Sequence, residues 1–276
     1  NGSHSEQPNP CYPEQAGKVG PGYVARSCVS CHVNNGRALP PKINKRMRKS
    51  VVKMGADSIG TPHPVLGSSL QSASTDEDPE TTMQIRDYAS VSGMYGDGTP
   101  YTLRKPRYAF NGTTPEHYSV RLSPQLVGLG LLEAIAEKTV MAIADPSDTN
   151  QDGISGRMQV VTDPETGEQR LGRFGYKAGQ PSLRLQIASA LNHDMGVTTT
   201  VFPRLDGATS AEKPELEDQE LAQLTRYIAT LGVSARRNLQ DQEALSGEKL
   251  FAKAGCAKCH TTKFTTSPRH PLAELR

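Results

Sequence analysis

Two short stretches constrain this chain more than anything else in it: "SCVSCH", ending at His32, and "GCAKCH", ending at His260. Each is Cys-x-x-Cys-His, and together they use four of the five cysteines in 276 residues. This run is the attachment sequence of a c-type haem. Two thiols one turn apart can add to the two vinyl groups of a porphyrin, and the adjoining imidazole then faces the iron as its proximal ligand. Cys28 and Cys31 would hold one haem with His32 on its iron. Cys256 and Cys259 would hold a second, with His260 as ligand. The competing reading is a zinc site built from two Cys-x-x-Cys halves. The His that follows each half favours haem, as does the amphipathic "GEKLFAKAG" leading into the second motif, with Phe251 about one turn before Cys256.

Five cysteines are too few for a disulfide scaffold in a chain this long, and Cys11 reads as a bystander thiol. Hydrophobic residues make up 35% and charged residues 22%, enough for a buried core beneath a polar surface. A net charge of +2 gives no case for nucleic acid as a partner. No apolar run reaches the ~18 residues of a membrane span. Covalent haem belongs outside the cytoplasm, so a bacterial periplasmic or extracellular location is expected.

Residues 1–26 are rich in Pro and Gly and read as an extended segment. "PPKINKRMRKSVVK" at 40–53 carries six basic side chains, either a solvated face or a docking patch for an acidic electron donor. "STDEDPE" at 74–80 reads as an acidic turn, and the text around Gly and Pro from 81 to 121 suggests short hairpin strands. A long helix is predicted from "SPQLVGLGLLEAIAEKTVMAIADP", with Ser123 as N-cap and Pro146 as its stop. Further helices are expected in "PSLRLQIASALN", in "PELEDQELAQLTRYIATLG" up to Gly232, and in "DQEALSGEKLFAKAGC". The expectation is a mainly α, cytochrome c-like fold with long irregular loops. It places a haem-binding domain over 27–238 and the start of a second cytochrome c-like domain over 239–276.

"DPSDTNQDGISGR" at 145–157 matches the opening of a calcium loop. Asp148, Asn150 and Asp152 alternate before Gly153, and the Ile154 carbonyl would be a further ligand. Position 12 is Gln159 rather than Glu, so a carboxylate would have to come from elsewhere, such as Asp145. The plain alternative is an Asx-rich turn. For the sixth position on an iron, "NHDMG" offers His193 and Met195, with His63, Met54 and Met94 as weaker candidates; His4 and His270 read as terminal and exposed. Glu133 stands in an apolar stretch, where a carboxylate is either a distal acid–base group or turned to solvent.

Several segments in order, "ARSCVSCHVNNGR", "YGDGTPYTLRKPRY", "SPQLVGLGLLEAI", "ADPSDTNQDGISGR", "LGRFGYKAGQPSLRLQIASALNHDMG" and "GEKLFAKAGCAKCH", resemble the bacterial di-haem c-type oxidoreductases, distant relatives of di-haem cytochrome c peroxidase. The resemblance implies two c-haems, a peroxidase-like helical fold and redox activity on a substrate it does not name. A small redox protein or other donor or acceptor is the expected partner. One haem would take in electrons, and the other would carry an open or displaceable site. Where relatives often have Trp in "GRFGWKA", this chain has Tyr176, which becomes the candidate for an aromatic electron route. Only sixteen residues follow His260, with no Met and the single His270. The second haem is therefore expected to be poorly covered within this chain, and to be completed by a further C-terminal region or a partner chain.

Overall fold

A computed structural model describes residues 19–58, 60–75, 78–211 and 213–276. Cys11, His4 and most of the extended segment lie outside the described residues, as does part of the acidic turn. The elements run β1 (Gly22–Tyr23), α1 (Cys28–Cys31), β2 (Val51–Gly55), β3 (Ala73–Ser74), β4 (Thr81–Met94), β5 (Pro100–Gly112) and β6 (His117–Arg121). They continue with α2 (Leu129–Ala134), α3 (Glu137–Met141), β7 (Val160–Thr162), β8 (Gln169–Leu171), α4 (Leu183–Met195), α5 (Asp218–Ala229) and α6 (Gln242–Lys253). Helix accounts for 25% and strand for 24%, which overturns the mainly α expectation. The reason is the text from 81 to 112, where the expected short strands are one long antiparallel ribbon.

Two units divide the chain. The first takes the described residues up to Leu126 together with Ile187–Leu221. In it β4 pairs with β5 from Thr81↔Gly112 out to Met94↔Pro100, with a register shift between Ile85 and Asp87. Thr81, Met83 and Ile85 alternate inward and are buried, the period of a half-buried strand. Met83 and Ile85 join Met47, Val52, Met54 and Leu70 in one core cluster, and each large side chain buried there contributes about 1.5–3 kcal/mol. Met54, a candidate ligand by sequence, is thus a core residue. Pro106 is tolerated opposite Tyr88 because a two-stranded ribbon leaves every second N–H unpaired. Beside the ribbon β2 pairs with β6, and β1 with β3, both antiparallel.

The second unit takes Val127–Gln186 and Ala222–Arg276. The predicted long helix from Ser123 is broken here into α2 and α3. Gly128 precedes α2 in a left-handed conformation, and Ile135 between the two helices is extended. Arg173, about forty residues downstream, causes the break. Its Nη1 donates to the carbonyls of Leu132 (2.9 Å), Glu133 (3.1 Å) and Ile135 (2.7 Å), satisfying groups that a continuing helix would have used. Ser267 N donates to the Ala134 carbonyl at 2.7 Å, and Ile135 bridges to Thr266. Gly130 lets α2 approach α5, because a Cβ there would lie 2.0 Å from the Ala229 carbonyl oxygen. The three later helices fall where their apolar spacing puts them, with Asp241 capping α6 through Glu243 N and Ala244 N.

Candidate functional site

The first Cys-x-x-Cys-His begins as the single turn α1. His32 N donates to the Cys28 carbonyl at 2.8 Å, so Cys28, Cys31 and His32 are wound onto one helical turn. Cys31 is buried, Cys28 is exposed, and both thiols are free. Burial pushes the Cys31 thiol up to about 11, with Asp194 adding to the rise. That is the opposite of the lowered value that marks a reactive thiolate pair. His32 Nδ1 lies 2.6 Å from the Pro124 carbonyl oxygen. A carbonyl only accepts, so the proton is on Nδ1 and the Nε2 lone pair is left for another partner. Burial also lowers the His32 pKa and favours the neutral ring.

A second segment is brought to this turn from more than 150 positions away along the chain. The Asp194 carbonyl accepts from Val24 N (2.8 Å) and Ala25 N (3.2 Å), and the Met195 carbonyl accepts from Gly20 N (3.0 Å). The end of α4 therefore holds the strand of chain that leads into Cys28, and the two sequence candidates, "SCVSCH" and "NHDMG", meet in one unit. Met195 is buried. His193 Nδ1 donates to the Ser189 carbonyl at 2.8 Å, again leaving Nε2 with a free lone pair. Burial lowers the His193 pKa, and Lys53 adds to the effect. Burial raises the Asp194 carboxyl to about 6, with Lys53 pulling it back. Lys53 itself is lowered by burial and hydrogen-bonds Ser69. Sequence reasoning missed Lys53 and Asp194; their only local signal is a charge inside an otherwise apolar strand or at a helix end.

The second motif repeats the turn in the other unit. His260 N donates to the Cys256 carbonyl at 2.9 Å, and Cys259 N to the same oxygen at 3.2 Å. Gly255, left-handed at φ 78°, turns the chain out of α6 into this wrap. The Phe251 ring, from the last turns of α6, sits 6.1 Å from the His260 ring. Cys256, Cys259 and His260 are exposed, and α6 buries no side chain. Lys258, inside the motif, donates to the Asp152 carbonyl at 2.8 Å and so ties it to the acidic loop.

In that loop the carboxylates turn onto the backbone. Asp148 Oδ1 accepts from Asp152 N (2.9 Å) and Gly153 N (3.2 Å). Asn150 Oδ1 accepts from Asp152 N, and Asp152 Oδ1 from Ile154 N. Asp145 takes Thr149 N and Asn150 N, which hold its carboxyl below the usual range. Among the described residues no three His, Cys, Asp or Glu side chains converge as a metal site.

The other candidates are spread through the fold. Glu133 Oε1 accepts from Leu183 N at 2.7 Å, so its carboxylate caps the start of α4. Tyr176 is half-exposed in a 3-10 turn. His63 Nδ1 accepts from Val65 N and Leu66 N within a turn, and Met94 is exposed near the end of the ribbon. His270, read as exposed, is buried instead, because its Nδ1 accepts from Leu272 N and its carbonyl from Arg276 Nε at 2.8 Å.

A family model described as "Di-haem oxidoreductase, putative peroxidase" matches residues 117–213 and 204–273, together more than half of the chain. The chain belongs to this di-haem oxidoreductase family. No curated protein and no solved structure matches it. The matched segments include the second Cys-x-x-Cys-His and the "NHDMG" segment, while the first motif precedes them. Membership makes haem the cofactor, and the local chemistry fits. Each motif offers two free thiols and an imidazole on one turn, and at His32 the ring nitrogen bonded to Pro124 leaves the other one able to ligate a metal.

Proposed function

We propose that this chain is an extracytoplasmic di-haem c-type oxidoreductase with peroxidase-like chemistry, in which both haems are covalently attached. Cys28 and Cys31 would anchor one with His32 as proximal ligand, and Cys256 and Cys259 the other with His260. The observation that carries the reading is the repeated turn, in which the amide of each His closes onto the carbonyl of the first Cys of its motif. Haem supplies one-electron transfer and, at an iron with a displaceable sixth position, reduction of a bound oxidant. The protein's part is ligation, orientation and burial. Pro124 fixes the tautomer of His32, and the α4 end brings His193, Asp194 and Met195 beside the same turn, where His193 or Met195 would close the far side of that iron. Electrons would come from a small redox donor at one haem and leave at the other.

Intact mass, visible spectra and electron paramagnetic resonance of the holoprotein test this. The expected outcome is a mass above the bare chain by two haems, colour that survives acid–acetone extraction, and a high-spin component that shifts with cyanide. A colourless or zinc-loaded holoprotein overturns the reading. Two low-spin haems that ignore cyanide turn it into an electron carrier.

The same reading gives the 145–157 loop a calcium ion on Asp148, Asn150, Asp152 and the Ile154 carbonyl, oxygens of the hard type that calcium takes. Calorimetry on chelator-treated protein is expected to show binding that Asp152→Ala weakens by at least about tenfold, the loss of one charged ligand. No heat of binding in the wild type removes the ion and leaves the loop an Asx-capped turn.

A further inference from the structure

Resting on the haem reading of the first motif, we infer that the surface around Cys28 is a cationic docking face for an acidic electron-transfer protein. Between residues 19 and 56 the chain carries eight Lys and Arg and not one Asp or Glu. The whole chain has a net charge of only +2, so the remainder is net acidic. The positive charge is concentrated on the stretch that bears the first Cys-x-x-Cys-His.

The fold presents these charges rigidly. Met47 is buried in the core beside Met83, and Met47 N donates to the Met83 carbonyl at 2.8 Å. Asn44 N donates to the Ile85 carbonyl at 2.9 Å, and Ile43 and Arg46 form bridges to β4. With its backbone clamped this way, the segment turns Lys42, Lys45, Arg48 and Lys49 outward, and all four are exposed. The chain also joins the charged segment to the attachment turn at a fixed point: Ala38 N, between His32 and Lys42, donates to the Ser123 carbonyl at 3.0 Å, next to the Pro124 carbonyl that holds the His32 ring. Arg26 and Arg37, on either side of the motif in sequence, are exposed as well. Next to the thiols the surface is apolar: Val29 is 44% and Val33 40% exposed.

An apolar spot at a haem-attachment turn, flanked by fixed cations, suits a brief encounter with a redox protein of opposite charge. Charge steers such an encounter and raises its rate by about 10 to 1,000-fold at low salt, while a small apolar centre lets it dissociate. A nucleic acid or an anionic lipid surface would use the same cations, but neither exchanges electrons with a haem held beside them, as a redox protein does.

The test uses the holoprotein and a variant, K42E/K45E/R48E, which leaves Lys49 and every residue of the attachment turn in place. Stopped-flow mixing follows reduction of the protein by a reduced acidic cupredoxin and by a reduced basic cytochrome c. The acidic probe is expected to react faster, to slow about tenfold as salt rises from about 10 to about 200 mM, and to lose a similar factor at low salt in the variant. The basic probe should gain in the variant. Equal rates of wild type and variant with the acidic probe, or no salt dependence, overturn the docking face. Nuclear magnetic resonance titration with the zinc-substituted, redox-inert cupredoxin reads binding without electron transfer. Should the protein prove to lack haem, the haem reading falls, and this titration still decides the surface: binding lost in the variant supports it, and unchanged binding overturns it. Binding of phosphatidylglycerol vesicles but not of the cupredoxin would overturn it in favour of a lipid-facing surface. An unchanged far-ultraviolet spectrum of the variant shows that folding is intact.

Discussion

His32→Ala is expected to keep two haems on the chain and to deprive one iron of its proximal ligand. Attachment depends on the Cys28 and Cys31 thiols and ligation on the imidazole, so the substitution separates them. The pyridine haemochrome count should stay at two per chain. About half of the haem absorbance should change spin state, since one of the two haems is affected. Added imidazole should restore it. The ring is suited to this role before any metal arrives. Its Nδ1 proton is taken by a carbonyl that can only accept, Pro124 O at 2.6 Å, and burial favours the neutral form. Such an outer partner is typically worth about 10 to 100-fold in metal affinity, because it fixes both tautomer and ring orientation. A spectrum unchanged by His32→Ala would mean that the iron takes its ligand elsewhere. In the same series His193→Ala and Met195→Ala test the far side: one of them should open that haem to cyanide, and two unaltered spectra would exclude both residues.

What could be seen in the sequence was whatever is local. The two Cys-x-x-Cys-His turns are complete within five residues each, and α4, α5 and α6 follow from apolar spacing and caps within a dozen. The partner of His32 is different. Nothing near position 32 says that the carbonyl of Pro124 will lie against the ring, because that contact is made by the path of the chain after β6. The break between α2 and α3 is hidden for the same reason. Leu129 to Ala144 has good helical spacing, and the groups that make ending the first helix at Ala134 the better solution come from far along the chain, Arg173 on three carbonyls and Ser267 N on that of Ala134. In the ribbon, Gly93, Gly96, Gly98, Pro100 and Pro106 read as interruptions. Yet Gly93 lies under the Tyr101 ring, whose hydroxyl would be 2.4 Å from a Cβ, and Pro106 uses a position whose N–H had no strand to meet. The mainly α expectation failed here because Gly93 and Pro106 sit inside a long two-stranded ribbon, with Gly96 and Gly98 only in the turn at its end. Glu133 was noticed as a carboxylate in an apolar stretch, but its partner, Leu183 N, lies fifty residues on.

Gly196→Ala is expected to be strongly damaging to the first unit. Gly196 follows α4 with φ 65°, a left-handed backbone that costs a residue with a Cβ about 1–2 kcal/mol. A Cβ there would also lie 2.3 Å from the Gly22 carbonyl oxygen and 2.9 Å from Gly20 Cα. These are backbone atoms and cannot swing aside, so relief requires the two segments to separate, adding about 1–3 kcal/mol as in other overpacked sites. The total is about 2–5 kcal/mol, measured as a lower midpoint in urea. Gly207 supplies the control. It has φ 84° in the same unit and nothing within 4 Å of its would-be Cβ, so Gly207→Ala should cost only the backbone part. Equal losses at the two positions would show that the close approach carries no energy. The consequence reaches the site, because the same contact sets the Asp194 and Met195 carbonyls against Gly20, Val24 and Ala25, the chain leading into Cys28. Pushing these segments apart should therefore lower haem incorporation at the first motif and spare the second, which shares no residue with this contact. Haem counted on separated tryptic peptides reads that difference directly. An equal loss at both motifs would mean that the variant simply fails to fold.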